Sequence, residues 1–404
     1  MVFDDADPIQ SGHNALYLCH LLQWWGEARP TGRLDVAIYS NLANVHPRLG
    51  ALLRRTEPYG VRLVPLEEFM TDEVHGSTLQ RIQKSTRLLK KCVDKYKPQR
   101  CLLMYFDQFR LPLACRLRFR SSVELSGIYF SPTFHYGLLK WGRVSLKEHM
   151  RQWRNGMLIG AALRHPAIRR IFCLDPYAVS FLQEFNKNVE IVALADPVEI
   201  PEKYDDSIAE LRKELDVRTG TKVLLVLGVL GRSKGIEELL TAVGSLSETT
   251  ARQLCLLLVG RMTKDRERAL ADMVASLRKR GAQIIVVNKL VREEAINSYY
   301  ALADLVVLPY RRHAGSSGSL MRAAAAGKAV LGPDYGLIGE LIRRYHLGWT
   351  MDSTSPRSIA HALEKVVRDK ALASFDEAGA REFARAHSAG RFGSTIFTSL
   401  LRQE

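Results

Sequence analysis

The chain has 404 residues, 47% hydrophobic and 25% charged, with 58 Lys or Arg against 43 Asp or Glu and a formal charge of +15. The length favours two domains over one core, while ordinary apolar content and 15 prolines exclude a disordered or collagen-like chain. The charge calls for an anionic partner such as phosphate, nucleic acid or lipid, and is silent on fold. The longest apolar stretch, Val223 to Gly231, is far short of the ~20 residues that cross a bilayer. Asp4 and Asp5 stand where an export signal carries Lys or Arg, so a cytoplasmic chain is expected. Cys19, Cys92, Cys101, Cys115, Cys173 and Cys255 lack metal or redox spacing and read as buried, reduced thiols.

Short Leu-rich or β-branched runs alternate with longer amphipathic segments, the pattern of parallel sheets covered by helices. In the first half strands are expected at Val2 to Asp4, Asp35 to Tyr39, Val61 to Pro65, Cys101 to Phe106, Val123 to Tyr129, Ile171 to Leu174 and Glu190 to Leu194. The clearest helix there is His75 to Tyr96, with Leu79, Ile82, Leu88, Leu89, Cys92 and Val93 on one stripe. The segment ADPVEIPEKYD, Ala195 to Asp205, has two prolines and no periodicity, and reads as a hinge. The second half repeats the alternation. Strands are expected at Lys222 to Leu227, Leu254 to Val259, Gln283 to Val287, Leu305 to Pro309 and Ala329 to Leu331. Helices are expected at Gly235 to Leu246, Arg266 to Arg280, Glu293 to Leu302, Ser319 to Ala326, Leu337 to Arg344 and Pro356 to Asp369. The resulting organisation is a first domain over 1–195, a hinge over 196–205, a second domain over 206–375 and a helical C-terminal segment over 376–404. Both domains are doubly wound α/β units, and a ligand is expected in the cleft between them, beyond the carboxyl ends of the strands.

Two loops carry the chemistry of the second half. Gly228 to Gly235, GVLGRSKG, joins a strand to a helix. Glycines there let the backbone approach an anion, the helix offers unpaired N–H groups, and Arg232 and Lys234 add charge. The loop is neither a Walker A nor a G-x-G-x-x-G fingerprint, and a plain glycine turn with solvated cations is the alternative. Pro309 to Gly327, PYRRHAGSSGSLMRAAAAG, ends a strand and feeds an Ala-rich helix. Gly315, Ser316, Ser317, Gly318 and Ser319 present hydroxyls and amides at that helix's start, a second cradle for an anion or a sugar.

From Lys222 to Val330 the chain resembles the donor-binding half of glycosyltransferase family 4, whose members have the two-domain GT-B fold. The resemblance rests on Gly228 and Lys234-Gly235, Val259-Gly260, Ala303-Asp304, Leu308-Pro309 and the closing Ala325-Ala326-Gly327-Lys328-Ala329-Val330. It implies two Rossmann-like domains and transfer of a sugar from a nucleotide-sugar donor, UDP- or GDP-linked, to a glycan or lipid-linked acceptor. It also implies retention of configuration with no cofactor and no bound metal. Lys234 takes the position of the phosphate-binding lysine, and Gly228, Gly231, Gly260 and Arg261 line the donor site. The family's two glutamates, which hold the donor sugar and the ribose, are replaced by Ala314 and Arg322, and the usual arginine is displaced to Arg232. A divergent subgroup reading its donor through the GSSG loop is the favoured explanation. A catalytically inactive GT-B-like binding or scaffolding protein is the rival.

In the first half the likeness is weaker. Ser11, Gly12, His13 and Asn14 open the first helix where the family has a glycine-rich loop facing donor phosphates, and the short strand ahead is as expected if the natural chain starts upstream. His135, in SPTFHYG after the fifth strand, either faces the cleft or is structural. Asp107 either holds an acceptor hydroxyl or caps the next segment. With Arg232 and Lys234 these two are the candidates for a catalytic part.

Between Arg110 and Arg170 stand twelve Lys or Arg, including Arg143, Lys147, Arg151 and Arg154, against Glu124 and Glu148. Trp141, Met150, Trp153, Met157, Leu158 and Ile159 are interleaved with them. Such a stretch is either an interfacial helix on anionic lipid, making the chain peripheral to the inner face of a membrane, or an ordinary helix with a solvated basic face. Nucleic acid is not expected, because no helix-turn-helix, ribonucleoprotein or finger pattern accompanies the charge.

Overall fold

The computed structural model describes residues 1–6, 12–69, 77–138, 146–201, 208–291, 293–313, 315–368 and 370–402. The chain forms two compact units, one of Met1–Gly137, Val144–Pro197 and Ala389–Glu404, the other of Leu138–Arg143 and Val198–Ser388.

The first unit is built on seven parallel strands in the order β3-β2-β1-β4-β5-β6-β7. They are β1 Val2–Phe3, β2 Leu34–Ile38, β3 Val61–Pro65, β4 Arg100–Leu103, β5 Glu124–Tyr129, β6 Ile168–Cys173 and β7 Glu190–Ala193. Helix α1, Gly12–Ala28, follows β1, and α2 spans Thr78–Tyr96. The expected start of α2 at His75 falls outside the described residues. Ser77 fixes the observed start, because its Oγ accepts from Gln80 N at 3.4 Å while Gln80 Oε1 accepts from Ser77 N at 2.7 Å, a reciprocal cap. Strand β4 stops three residues short of the expected end: Phe106–Phe109 coils into a 3-10 turn that buries Phe106 and Phe109. Room for that turn comes from Gly127 in β5, where a Cβ would lie 2.7 Å from the Phe106 ring. Helix α3, Leu146–Leu163, lies between β5 and β6 in sequence.

The second unit has six parallel strands in the order β10-β9-β8-β11-β12-β13. They are β8 Lys222–Leu227, β9 Leu254–Val259, β10 Gln283–Val287, β11 Leu305–Val307, β12 Ala329–Pro333 and β13 Gly348–Met351. The sequence pattern does not show β13. It is a short, half-buried strand led by Gly348, whose φ of +138° and approach to Val330 O leave no space for a side chain. Helix α4, Ile236–Ser245, buries Ile236, Leu239, Leu240, Ala242 and Val243 against the sheet, each large side chain stabilising the unit by ~2 kcal/mol. Helix α5 spans Lys264–Lys279 and α6 spans Gly318–Ala325. The segment 376–404 is divided. Glu377–Ala386 packs on α6, whereas α7, Ala389–Leu401, packs on α1 in the first unit, with Phe397 stacked on Trp24 at 4.9 Å. Five cysteines are buried as expected, but Cys115 is exposed, because it caps the short helix Arg110–Ala114 at the surface.

Close backbone contact sets the ends of the central strands in the second unit. Gly260 has a φ of +136°, and a Cβ there would fall 1.8 Å from Gly228 O. Gly260→Ala is therefore expected to lower stability in denaturant titrations by ~2 kcal/mol or more. Gly231→Ala, with no atom near its Cβ and a φ of −79°, leaves the transition where it was.

Asp4 follows β1 and is 2% exposed; its Oδ1 accepts from Ala6 N and Asn14 Nδ2 at 3.1 Å, while Oδ2 accepts no hydrogen bond among the described residues. Burial, opposed by these bonds and aided by Asp5, raises its pKa from 3.8 to about 7. The folded chain thus keeps a proton that the unfolded chain releases. Asp4 contributes full stability below pH 3.8, and that contribution is lost as pH rises to about 7. Urea unfolding across this window is expected to show a shallower decline in Asp4→Asn than in the unaltered chain.

Candidate functional site

In the second unit the chain runs from β8 out to β9 and β10, then crosses to β11 on the other side of β8. Strand order thus reverses between β8 and β11, and the space beyond their carboxyl ends is where open parallel sheets bind ligands. After β8 the backbone passes Gly228, at φ +127°, and closes a 3-10 turn at Arg232–Lys234. Gly235, at φ +63°, then starts α4. A Cβ on Gly235 would lie 1.8 Å from Pro309 O, so only glycine allows this turn to press against the end of β11. Arg311 N donates to Ser233 O at 2.9 Å, and Arg311 Nε lies 3.1 Å from Glu238 Oε1. The two loops are thereby sewn together.

That contact decides where Lys234 points. Its Nζ donates to Tyr310 Oη at 2.7 Å, sits 3.9 Å from the Tyr310 ring centre, and lies 3.5 Å from where a Gly228 Cβ would be. The ammonium thus stands at the carboxyl end of β8. Tyr310 is 3% exposed, and Ser317 Oγ donates to its hydroxyl at 3.4 Å. Burial by itself would raise the phenol's pKa, but the Lys234 charge and hydrogen bonds from Lys234, Ser317 and Ser319 bring it below the ordinary value.

The loop after β11 adds further groups. His313 Nε2 bonds Ser316 O at 3.0 Å, and its ring meets Tyr310 edge-on at 5.1 Å. Burial lowers its pKa; the bond to Ser316 opposes this and the Lys234 charge adds to it, so the imidazole is neutral at pH 7. Ser317 caps α6 by accepting from Leu320 N at 3.4 Å, and Ser319 Oγ donates to Leu227 O at 3.4 Å, bringing the first turn of α6 against the end of β8. Gly315, at φ +100°, makes the bend, while Ser316 and Gly318 flank Ser317. Arg322 is partly buried one turn further along α6.

Positive charge gathers beside this loop. Arg266, on α5, is buried and chelates the Glu237 carboxylate with both terminal nitrogens. Its pKa is lowered first by burial and then by the charges of Arg232 and Arg311. Arg232 itself is exposed, as is Arg261, whose carbonyl accepts from Leu230 N at 3.0 Å. Such an arrangement can hold a diphosphate: an ammonium in the crook of a glycine turn, a capped helix start and nearby guanidinium groups.

Gly228, Gly231, Arg232, Lys234, Gly260, Arg261, Arg322 and residues 315–319 all belong to this unit. The other candidates are elsewhere. Gly12 and His13 open α1 in the first unit, and the His13 side chain lies outside the described residues, as does Ala314. Asp107 sits in the 3-10 turn after β4, and its carboxylate accepts from Phe130 N at 2.9 Å and Ser131 N at 3.2 Å, amides that follow β5 rather than the segment next to it in sequence. Burial raises its pKa, with the Arg110 charge and these bonds opposing. His135 is only 3% exposed, with Nε2 3.1 Å from Asp175 Oδ2 and its ring stacked on Phe181 at 5.7 Å. Locally it ties residues 133–138 to the start of the next helical turn, where Asp175 accepts from Tyr177 N at 2.9 Å. Sequence reasoning missed Tyr310, His313, Arg266 and Arg311. The available signal was position, since Tyr310 to His313 directly follow the strand end at the crossover.

Residues 207–382 match the family model described as Glycosyl transferases group 1. Among curated proteins, lipopolysaccharide 1,2-N-acetylglucosaminetransferase of Salmonella typhimurium is 29% identical over 168 residues, which cover 40% of this chain and 43% of that protein. The match therefore spans less than half the length of that relative. Sucrose-phosphate synthase from Thermosynechococcus elongatus superposes with a TM-score of 0.70 at 18% identity, over 95% of this chain and 92% of that one. HepE from Anabaena, solved in complex with UDP, superposes with a TM-score of 0.68 at 14% identity, over 99% and 98%. At such identities the likeness is one of fold. Residues 207–382 thus resemble the glycosyl transferases group 1 family, in a chain with the GT-B fold of two parallel-sheet α/β domains.

Proposed function

We propose that the chain is a glycosyltransferase of the family 4 type that moves a sugar from a nucleotide-sugar donor to a glycan or lipid-linked acceptor. The observation that carries this reading is the Lys234 ammonium, held by Tyr310 at the end of β8 beside the glycine turn. A leaving nucleoside diphosphate gains negative charge as the bond from its oxygen to the anomeric carbon breaks and the acceptor oxygen takes its place. Lys234, Arg232 and the first turn of α6 are suited to stabilise that charge without a bound metal. With the diphosphate available to take the acceptor's proton on the face it leaves, a separate base is not demanded, in keeping with retention of configuration.

UDP as the nucleotude carrier is supported by the UDP complex of HepE, with GDP as the alternative. A glycan attached to lipid as acceptor is supported by the name of the Salmonella relative; our reading joins to it a cytoplasmic chain at the periphery of a membrane. The replacement of both family glutamates by Ala314 and Arg322 favours one second reading, a GT-B-like protein that binds without turnover.

Calorimetric titration with UDP-, GDP- and ADP-sugars tests the reading. One nucleotide series is expected to bind, with affinity reduced about tenfold or more in Lys234→Ala and several-fold in Tyr310→Phe, which keeps the ammonium but frees it. Failure of every nucleotide to bind would sink the proposal, and binding without sugar release or transfer would favour the second reading.

A further inference from the structure

Helix α3 exposes four large apolar side chains: Leu146 is 79% exposed, Met150 64%, Trp153 69% and Met157 56%. At ~100° per residue they fall within about 60° of one another, a single stripe running three turns. Isolated apolar residues on a surface are ordinary, but a contiguous stripe of this size marks an interaction face. The helix cannot roll to hide it. On the opposite side Gln152, Ile159, Ala162 and Leu163 are buried, and Asn155 Nδ2 donates to Thr133 Oγ1 at 2.9 Å. Gly160 lies so close to Phe185 that a Cβ would be 2.9 Å from its ring. Of the anchors read from sequence, Ile159 therefore points inward and Leu158 is half-buried, Trp141 lies outside the described residues, and Leu146 joins the stripe.

Cations border the stripe. Arg151 and Arg154 are exposed on one flank, and Arg164 is exposed just beyond the helix. Exposed Arg116, Arg118 and Arg120 follow the short helix packed on α3, and their loop is tied to its end by His165 Nε2 and Leu117 O at 2.6 Å. Against twelve cations the segment 110–170 has two acidic residues, one of them Glu124, which pairs with Arg100 and Arg169. Nucleic acid would answer the arginines but not the Leu, Met and Trp side chains. A surface that is apolar beneath and negative on top answers both, and tryptophan favours that boundary. No helix among the described residues is long and apolar enough to cross a membrane.

We propose that α3 docks this protein on an anionic bilayer, with Leu146, Met150, Trp153 and Met157 entering the acyl boundary and the flanking arginines meeting lipid phosphates. The docking rests on the proposed function only for its purpose, which is to bring a lipid-linked acceptor within reach of the enzyme.

Flotation with vesicles of phosphatidylcholine alone, or with about one third phosphatidylglycerol, tests it on the full chain. The unaltered protein is expected to float with the anionic vesicles and to be released at high salt. Its Trp153 emission, isolated as the difference from Trp153→Phe, is expected to shift to the blue. Combined Met150→Gln, Trp153→Gln and Met157→Gln is expected to weaken binding about tenfold or more, and Arg151→Gln with Arg154→Gln to weaken it on anionic vesicles only. Nucleotide titration of the same variants checks that the fold is intact. Unaltered protein that stays off anionic vesicles, or a triple variant that floats as well as the parent, would overturn the proposal. So would a dimer in sedimentation equilibrium that the triple variant abolishes, since a second copy would then be the occupant. Vesicle binding without nucleotide binding refutes the glycosyltransferase reading and leaves the docking intact; the reverse result does the opposite.

Discussion

Two places where backbone meets backbone without an intervening side chain govern the second unit: Gly260 against Gly228 O, and Gly235 against Pro309 O. Each glycine has a positive φ, and each lets a loop close over the end of a neighbouring strand. With those loops pressed together, Lys234 and Tyr310 meet although 76 residues separate them in sequence. The ammonium then has one place to go, the carboxyl end of β8. Everything that makes the site suited to a diphosphate follows from that packing.

Electrostatic balance accompanies it. A lysine and three arginines gather near one another, and a field of that sign would drive the loops apart without compensation. Glu237 binds Arg266 and Glu238 binds Arg311, both from the first turn of α4, where carboxylates also suit the helix dipole. Lys234 is held differently, by the Tyr310 hydroxyl to which it donates and by the ring face beneath it. A hydroxyl partner leaves the full positive charge of the lysine available to an incoming anion, which a carboxylate partner would have cancelled. In the first unit several carboxylates serve the fold: Asp35 pairs with Arg62, Asp107 holds two backbone amides, and Asp175 caps a turn beside His135.

The outer face of α3 reflects a constraint of the same kind. A helix covering a parallel sheet has one face to bury, and in α3 that face sends Ile159, Ala162 and Leu163 into the core, while Gly160 meets Phe185 and Asn155 bonds Thr133. The second apolar stripe cannot be satisfied by the same sheet. Its use lies outside the fold, and its setting among exposed arginines gives that use a chemical character.

From residue order alone came the alternation of strands and helices, the two α/β units, and the loops after β8 and β11 as candidate binding loops. Burial period and strand-end glycines are local signals, and the strands Val61–Pro65, Lys222–Leu227, Leu254–Val259 and Gln283–Val287 stand where the pattern puts them. The edge strand β13 was invisible because half-burial and a leading glycine erase the period. The C-terminal segment hides a different kind of information, since α7 packs on α1 through Trp24 and Phe397, which no local pattern connects. Lys234 and Ser317 were legible as loop residues, whereas Tyr310, His313 and Arg266 were not. Their roles exist only once distant loops touch. Composition and spacing therefore determined which chemistry this chain can carry, and tertiary packing decided which side chains are brought within hydrogen-bond reach to carry it, because burial and distance are properties of the folded surface rather than of the order of residues.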